Sequence, residues 1–400
     1  MCSQECCQAA DHLMECKMHQ ESGAFKMNIS FEAIEPYYAA ILPLRMLSLK
    51  KQDPKSWQEL VDLMSHLEEW KKSEFWIQDH ALATSFILDN FQMDDYWQLD
   101  QEMVHRMFGI AYVNDFLAML NNVKVRLSCP KLSMMSHDCT PNVIRFTDQS
   151  KTIRCYASRP IAKGDKLSHT YCDLFLPGAI RRKLLLQTKH FDCQCLKCLD
   201  PLELGTYGSS MKCAQCPIFV HPPSWSCSQC GVSLNGQRVL TEVYRESEEL
   251  LAAKPRSIKD FESFVSKYEK ILHPTNFLLI RIKYSLIGFY GRLEGYELQD
   301  LVANPALLER KKQLGHQVLE VLKLSEPGLS SAKGVVHYEL HVPYFIDANL
   351  NKNSKSLDIV NYYLQESVRH LKYKNQNSFG YSLLVSALQT LVQLKRMKGA

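Results

Sequence analysis

The sequence lacks any long apolar run. Its most apolar stretch, FLLIRIKYSLIGFYG at 277–291, is broken by Arg281 and Lys283, far short of the about 18 clean apolar residues that suggest a membrane-spanning helix. The opening MCSQECC offers neither a basic nor an apolar leader region, so no secretory signal is expected. Net charge is only +4 over 400 residues, without the strong or clustered basic bias that marks direct nucleic-acid binding. Low-complexity segments are missing too. Together these absences point to a cytoplasmic or nuclear chain with neither membrane nor nucleic acid as direct partner. Hydrophobic residues make up 46%, enough for a sizeable core, and the length fits about two or three domains.

What the chain does have is cysteine: fifteen of them. In a reducing compartment such a chain binds metal more readily than it forms disulfides. Cys7, Cys129, Cys155 and Cys172 stand apart, whereas most of the others are grouped. The run Cys193-Gln-Cys195-Leu-Lys-Cys198 supplies three thiolates. Zinc prefers four ligands in a tetrahedron, so this triplet asks for a distant fourth; buried free thiols are the plain alternative. Two C-x2-C pairs, Cys213/Cys216 and Cys227/Cys230, are separated by ten residues and resemble a zinc ribbon, with all four ligands local and no open position for a substrate. At the start, Cys2, Cys6, His12 and Cys16 could hold one zinc, His12 and Cys16 lying one helical turn apart. The alternative is a helical stretch that happens to be rich in cysteine.

Periodicity divides the rest. Residues 20–127 read as mainly helical, as in SWQELVDLMSHLEEWKKSEFW, where apolar residues at helical spacing follow a serine cap. Residues 128–173 turn to short β-rich runs, NVIRF, TIRCYA and KLSHTY, with a Gly-Asp turn in RPIAKGDKL. A basic, leucine-rich helix, AIRRKLLLQTK, follows. From about 236 to the end the chain is again helical and amphipathic, without a clean repeat signature.

The segment SHDCTPNVIRF at 136–146 resembles the SET-domain signature N-H-S-C-x-P-N. GDKLSHTYCD at 164–173 resembles the pattern G-E-E-L-x-x-x-Y-x-D, and FDCQCLKC the post-SET cysteine motif, all in the family's order and spacing. CSQECCQAADHLMEC resembles the second half of a MYND finger. The combination resembles the SET-and-MYND (SMYD) protein lysine methyltransferases, most closely an arthropod member beginning within the finger.

The resemblance implies an α+β fold: a β-rich SET core with a helical insert, a zinc-bound post-SET segment and an all-α helical-hairpin, tetratricopeptide-like C-terminal domain. The expected segments are a partial MYND-type finger at 1–19, a helical SET insert at 20–127 and a SET core at 128–176. A post-SET zinc segment at 177–200, a zinc-ribbon-like insert at 205–235 and the helical domain at 236–400 follow. It implies Cys139 as the missing ligand of Cys193, Cys195 and Cys198. It implies S-adenosylmethionine held by Asn114, Ser136, His137, Tyr171 and Phe191, with Tyr171 as the catalytic hydroxyl. The implied partner is a lysine-containing protein, such as a histone, and the implied state a monomer.

Four departures from the family pattern stand beside this. Ser136 replaces the motif asparagine, Asp138 the motif serine, and Lys189 a channel tyrosine. The family's upstream Gly-x-Gly segment and first half-finger have no counterpart, so each N-terminal ligand pair lacks its cross-brace partner. The first expectation is therefore a protein-lysine methyltransferase; the alternatives are an inactive SET-fold scaffold or a truncated isoform acting through protein contacts.

Overall fold

A computed structural model describes residues 13, 34–72, 81–90, 100–120, 123–148, 150–351, 354–376 and 378–399. The chain is mixed α+β and divides into two compact units, Met1–Met135 with Thr188–His190, and Ser136–Gln187 with Phe191–Ala400.

In the first unit, α1 (Ile34–Gln52) packs on α2 (Pro54–Val61), α4 (Ala81–Asn90) and α5 (Gln101–Asn114), with the short α3 (Leu67–Trp70) against α5. The serine expected to cap the SWQELV helix, Ser56, lies inside α2, and an aspartate takes the cap. Asp53 caps α2 by accepting from the Ser56 N–H, with Pro54 at the first helical position, and Asp100 caps α5 through the Met103 N–H. Leu44, Leu47, Leu60, Ile87, Met107 and Ile110 form the core. The helical reading of 20–127 ends at Asn114. Beyond it, β1 (Asp115–Leu120) and β2 (Val123–Ser128) pair antiparallel, Leu117 opposite Arg126. The alternation of valine with Lys124 and Arg126 in VKVRLS has a period of two, which a helix cannot place on one face. A single turn, α6 (Pro130–Ser133), follows.

The second unit opens with four short strands: β3 (Ser136–His137), β4 (Val143–Thr147), β5 (Ile153–Ala157) and β6 (Ser168–His169). β4 and β5 form an antiparallel hairpin, and β3 runs parallel to β6, with Ser136 opposite Ser168 and His137 opposite His169. Asn142 is buried and holds this arrangement. Its Nδ2 donates to the Lys166 carbonyl (2.9 Å) and its Oδ1 accepts from the Ser168 N–H (2.9 Å). α7 (Gly178–Lys189) and the turn α8 (Leu196–Leu199) carry the chain to a small hairpin of β7 (Met211–Lys212) and β8 (Phe219–Val220).

Among the described residues eight helices follow: α9 (Gly236–Ala252), α10 (Ile258–Tyr268), α11 (Phe277–Phe289), α12 (Leu298–Ala303), α13 (Pro305–Ser325), α14 (Ser331–Asn351), α15 (Ser354–Leu371) and α16 (Phe379–Gly399). α11 packs on α10 and α13, and α13 through α16 pack each on the next. A buried polar network is set into their apolar core. Lys311 on α13 donates to the Ile287 and Tyr290 carbonyls (2.6 and 2.7 Å) and to Glu339 on α14 (2.8 Å), whose other oxygen accepts from Arg292. Burial opposes the charge of Glu339, yet Lys311 and Arg292 hold its carboxyl below the usual range. No described helix is long and apolar enough to cross a membrane.

Candidate functional site

The β3–β6 pairing fixes His137 and brings Tyr171 beside it. The Tyr171 N–H donates to His137 Nδ1 (3.0 Å). The proton of the neutral imidazole therefore sits on Nε2, 3.2 Å from Cys139 Sγ. Burial pushes His137 down to about 4, so near neutral pH it is this uncharged tautomer. The rings of His137 and Tyr171 lie 5.2 Å apart, those of His137 and Phe191 5.8 Å, and Tyr171 meets Phe191 edge-on at 6.3 Å. Burial also raises the Tyr171 hydroxyl above its ordinary range, keeping it a neutral donor. Ser136 is half-buried on β3. Asp138 does not face this cluster as a loose charge, because Oδ1 accepts from both the N–H and the hydroxyl of Thr140 (2.7 and 3.0 Å), a local turn that short acidic side chains favour.

Behind the rings lies a sulfur cluster. The Sγ atoms of Cys139, Cys193, Cys195 and Cys198 all fall within 4.8 Å of one another, with Cys139 3.5 Å from Cys198 and 4.0 Å from Cys193. Four thiolates about 2.3 Å from a tetrahedral zinc are about 3.8 Å apart, and none of the four is in a disulfide. The donor set thus fits zinc. Hydrogen bonding to the other three sulfurs pushes the Cys139 thiol up and pulls Cys195 far down, while Cys198 falls to about 7. Zinc takes cysteine as thiolate, so binding here would release the protons these sulfurs share.

A second set, Cys213, Cys216, Cys227 and Cys230, meets the same 4.8 Å criterion, with Cys213 and Cys230 sulfurs 3.6 Å apart. Here the donors to sulfur are backbone: Gln215 N–H to Cys213 and Cys230 N–H to Cys227, each at 3.4 Å. The latter pulls Cys227 down to about 6.

Asn114, at the end of α5 in the first unit, donates its Nδ2 hydrogens to the Met64 and Ile110 carbonyls (2.8 and 3.0 Å). In the same unit the Lys189 ammonium donates to the Val113 carbonyl (2.6 Å). Cys2, Cys6, His12 and Cys16 lie outside the described residues.

Residues 16–172 match the SET domain family model. The chain is a SET-domain protein related to SET-and-MYND proteins. It is 27% identical over 239 residues to the SET domain-containing protein SmydA-8, isoform A, of Drosophila melanogaster, covering 56% of this chain and 49% of that protein. A SET and MYND domain-containing protein of Dictyostelium discoideum is 27% identical over 171 residues, 40% of this chain and 45% of its own. The histone-lysine N-methyltransferase SET5 of Saccharomyces cerevisiae is 34% identical over 77 residues, 19% of this chain and 14% of its own. The chain spans about half the length of the Drosophila relative it matches. SET domains are in general protein-lysine methyltransferases using S-adenosylmethionine.

Within this SET protein, sequence reasoning missed Arg181, which touches the first cysteine set, and its partner Glu203. Arg181 on α7 is buried; its Nη2 reaches Cys198 Sγ (3.5 Å) and Glu203 Oε2 (3.1 Å). Only the basic run ARG-ARG-LYS of α7 hinted at it, and spacing could not say which cation turns inward. A third metal-type grouping, His337, Glu366 and His370, also went unpredicted. There the Ser330 N–H donates to His370 Nδ1 (3.2 Å), so its Nε2 bears the proton and faces Glu366 at 3.8 Å, while Arg369 pairs with Glu366. With no lone pair left toward the group, His370 serves as a helix contact rather than a ligand.

Proposed function

We infer that this chain is part of an S-adenosylmethionine-dependent protein-lysine N-methyltransferase of the SMYD type. The observation that carries this reading is the packing of His137, Tyr171 and Phe191 around one another, directly beside the Cys139 thiolate set. In it, Ser136, His137, Phe191 and Asn114 hold the cofactor, with Phe191 against its adenine. The bound cofactor supplies an electrophilic methyl group. Tyr171 orients the incoming lysine amine through its neutral hydroxyl, and apolar walls favour the uncharged amine that can attack. Cys139, Cys193, Cys195 and Cys198 bind a structural zinc that ties the post-SET segment to the core. Cys213, Cys216, Cys227 and Cys230 bind a second. Cys2, Cys6, His12 and Cys16 are proposed as a third, in a partial MYND finger.

The proposed segments are those drawn from the sequence, except that the helical insert gives way to the β1–β2 hairpin after Asn114, with 236–400 as a tetratricopeptide-like array walling a protein substrate, histone or other, in the cytoplasm or nucleus of the cell. Calorimetric titration of the purified chain with S-adenosylmethionine tests the reading. Saturable heat and thermal stabilisation are expected; neither at millimolar cofactor would remove it. Ser136 and Asp138, in place of the motif asparagine and serine, favour a second reading, a catalytically silent SET scaffold that binds proteins. Cofactor binding without methyl transfer to any lysine peptide would support that one.

A further inference from the structure

The Arg181–Glu203 pair is buried more deeply than a surface ion pair: both side chains are only 3% exposed. It lies in direct contact with the first cysteine set, and among the described residues the second set has no buried ion pair against it. Arg181 Nη1 donates to the Leu176 carbonyl (2.7 Å), while Nη2 divides between Glu203 and Cys198 Sγ. Glu203 is itself fixed. Its Oε1 accepts from the Gly178 N–H (3.1 Å) and from the Ser209 hydroxyl. Gly178 leaves the room for this, since a Cβ there would come within 3.2 Å of the carboxylate. Glu203 also sits at φ +51, followed by Leu204 at φ +60, conformations that non-glycine residues adopt only when their surroundings demand it.

Zinc with four thiolates carries a formal charge of about −2, and a buried anion requires oriented donors. For the second set, exposed at Cys230, backbone N–H groups serve. In the first set, side-chain N–H groups of Arg181 and His137 add to backbone donors at Cys193 and Cys195. Burial works against the Arg181 charge, but Glu203 and then the Cys139 and Cys198 sulfurs hold the guanidinium protonated. An N–H directed at one sulfur draws electron density from it and fixes its orientation about the metal.

We propose that Arg181, held by Glu203, is a positioning residue for the first zinc site, setting the donor strength of Cys198 and the rate at which that metal leaves. The proposal rests on the zinc reading given above. The test uses the full purified chain loaded with zinc, with metal release to a chromogenic chelator followed in time. Cys195→Ser and Cys216→Ser assign the release phases to the two sites. Arg181→Met is expected to speed the Cys195-dependent phase by about 10- to 100-fold, the usual effect of losing an outer hydrogen-bond partner of a metal ligand, and to leave the Cys216-dependent phase unchanged. Arg181→Lys, which keeps a donor, should recover part of the loss. In the cobalt-substituted protein, Arg181→Met should also move the thiolate-to-metal charge-transfer band, a signature that loss of packing alone leaves in place. Glu203→Gln, which preserves shape, gives a smaller change of the same sign if Arg181→Met does not fold. Equal acceleration of both phases, or no change in the first together with an unmoved band, would overturn the proposal. A wild-type chain lacking a Cys195-dependent zinc would overturn the zinc reading itself, before any Arg181 variant is compared.

Discussion

The two cysteine sets carry the same four ligands and reach them by opposite routes. In the second, Cys213 to Cys230 span eighteen residues, and the hydrogen bonds to sulfur come from backbone groups of the same turns. In the first, Cys139 lies 54 residues from Cys193, and its position depends on the β3–β6 pairing, Asn142 and the buried Arg181. A local site needs little from the rest of the fold; an assembled site reports on whether the fold is intact. The second set is nevertheless docked: Trp225, within it, lies against Gly236 at the start of α9, where a Cβ would approach to 2.2 Å.

The largest contrast should follow loss of a ligand. Cys195→Ser and Cys216→Ser are each expected to lower the bound-metal count by one in elemental analysis. Only the first should also open the 191–198 segment to hydrogen exchange and proteolysis. An unchanged count in Cys195→Ser would remove the assembled site. Next, Glu203→Ala strands the buried Arg181 charge and is expected to lower stability by about 3–5 kcal/mol, read from urea midpoints at constant slope. Among the described residues the second set has no buried pair with which to match that loss. Asn142→Ala leaves the Ser168 N–H and the Lys166 carbonyl without their buried partner, a loss of about 1–3 kcal/mol. Zinc release from the assembled site should quicken in that variant while the local site keeps its rate; parallel changes at both would erase the distinction. The smallest effect is expected at Gly231, whose φ of +71 follows the last ligand of the local set. Gly231→Ala meets no neighbouring atom, so only the left-handed backbone is penalised, by about 1–2 kcal/mol, confined to the local site.

A histidine pair outside both sets offers a pH-dependent control. Burial pushes His337 down to about 4 and His370 to about 3, against an ordinary 6.5. Both folded values are depressed, so the unfolded chain takes up protons first. Stability is then present above about pH 6.5 and lost as pH falls toward 4. His370→Asn retains an acceptor for the Ser330 N–H and should flatten that dependence in urea melts between pH 6.5 and 4, with a change smaller than any at Glu203.

Much was legible along the chain because the signals are local. The helical reading from about 236 onward meets α9 to α16, and the Cys213–Cys230 spacing describes a group that the structure does bring together. The β1–β2 hairpin was lost inside a helical reading, since six-residue strands with one polar face give a weaker period than the long helices before them. Likewise KLSHTY yields only the two-residue β6, because its pairing partner β3 is itself two residues long.

By itself the sequence determined which atoms are available: four thiols in two close pairs, a triplet short of one ligand, and motif residues that name Cys139, His137 and Tyr171. Tertiary structure alone decided their company. It turned Arg181 inward, onto Glu203, while Arg182 stays in the open, and placed the proton of His137 on Nε2 through the Tyr171 N–H. Those outcomes depend on contacts tens of residues apart in sequence, and on the burial that makes an unpaired charge too unfavourable to keep; neither is written in the spacing of residue types.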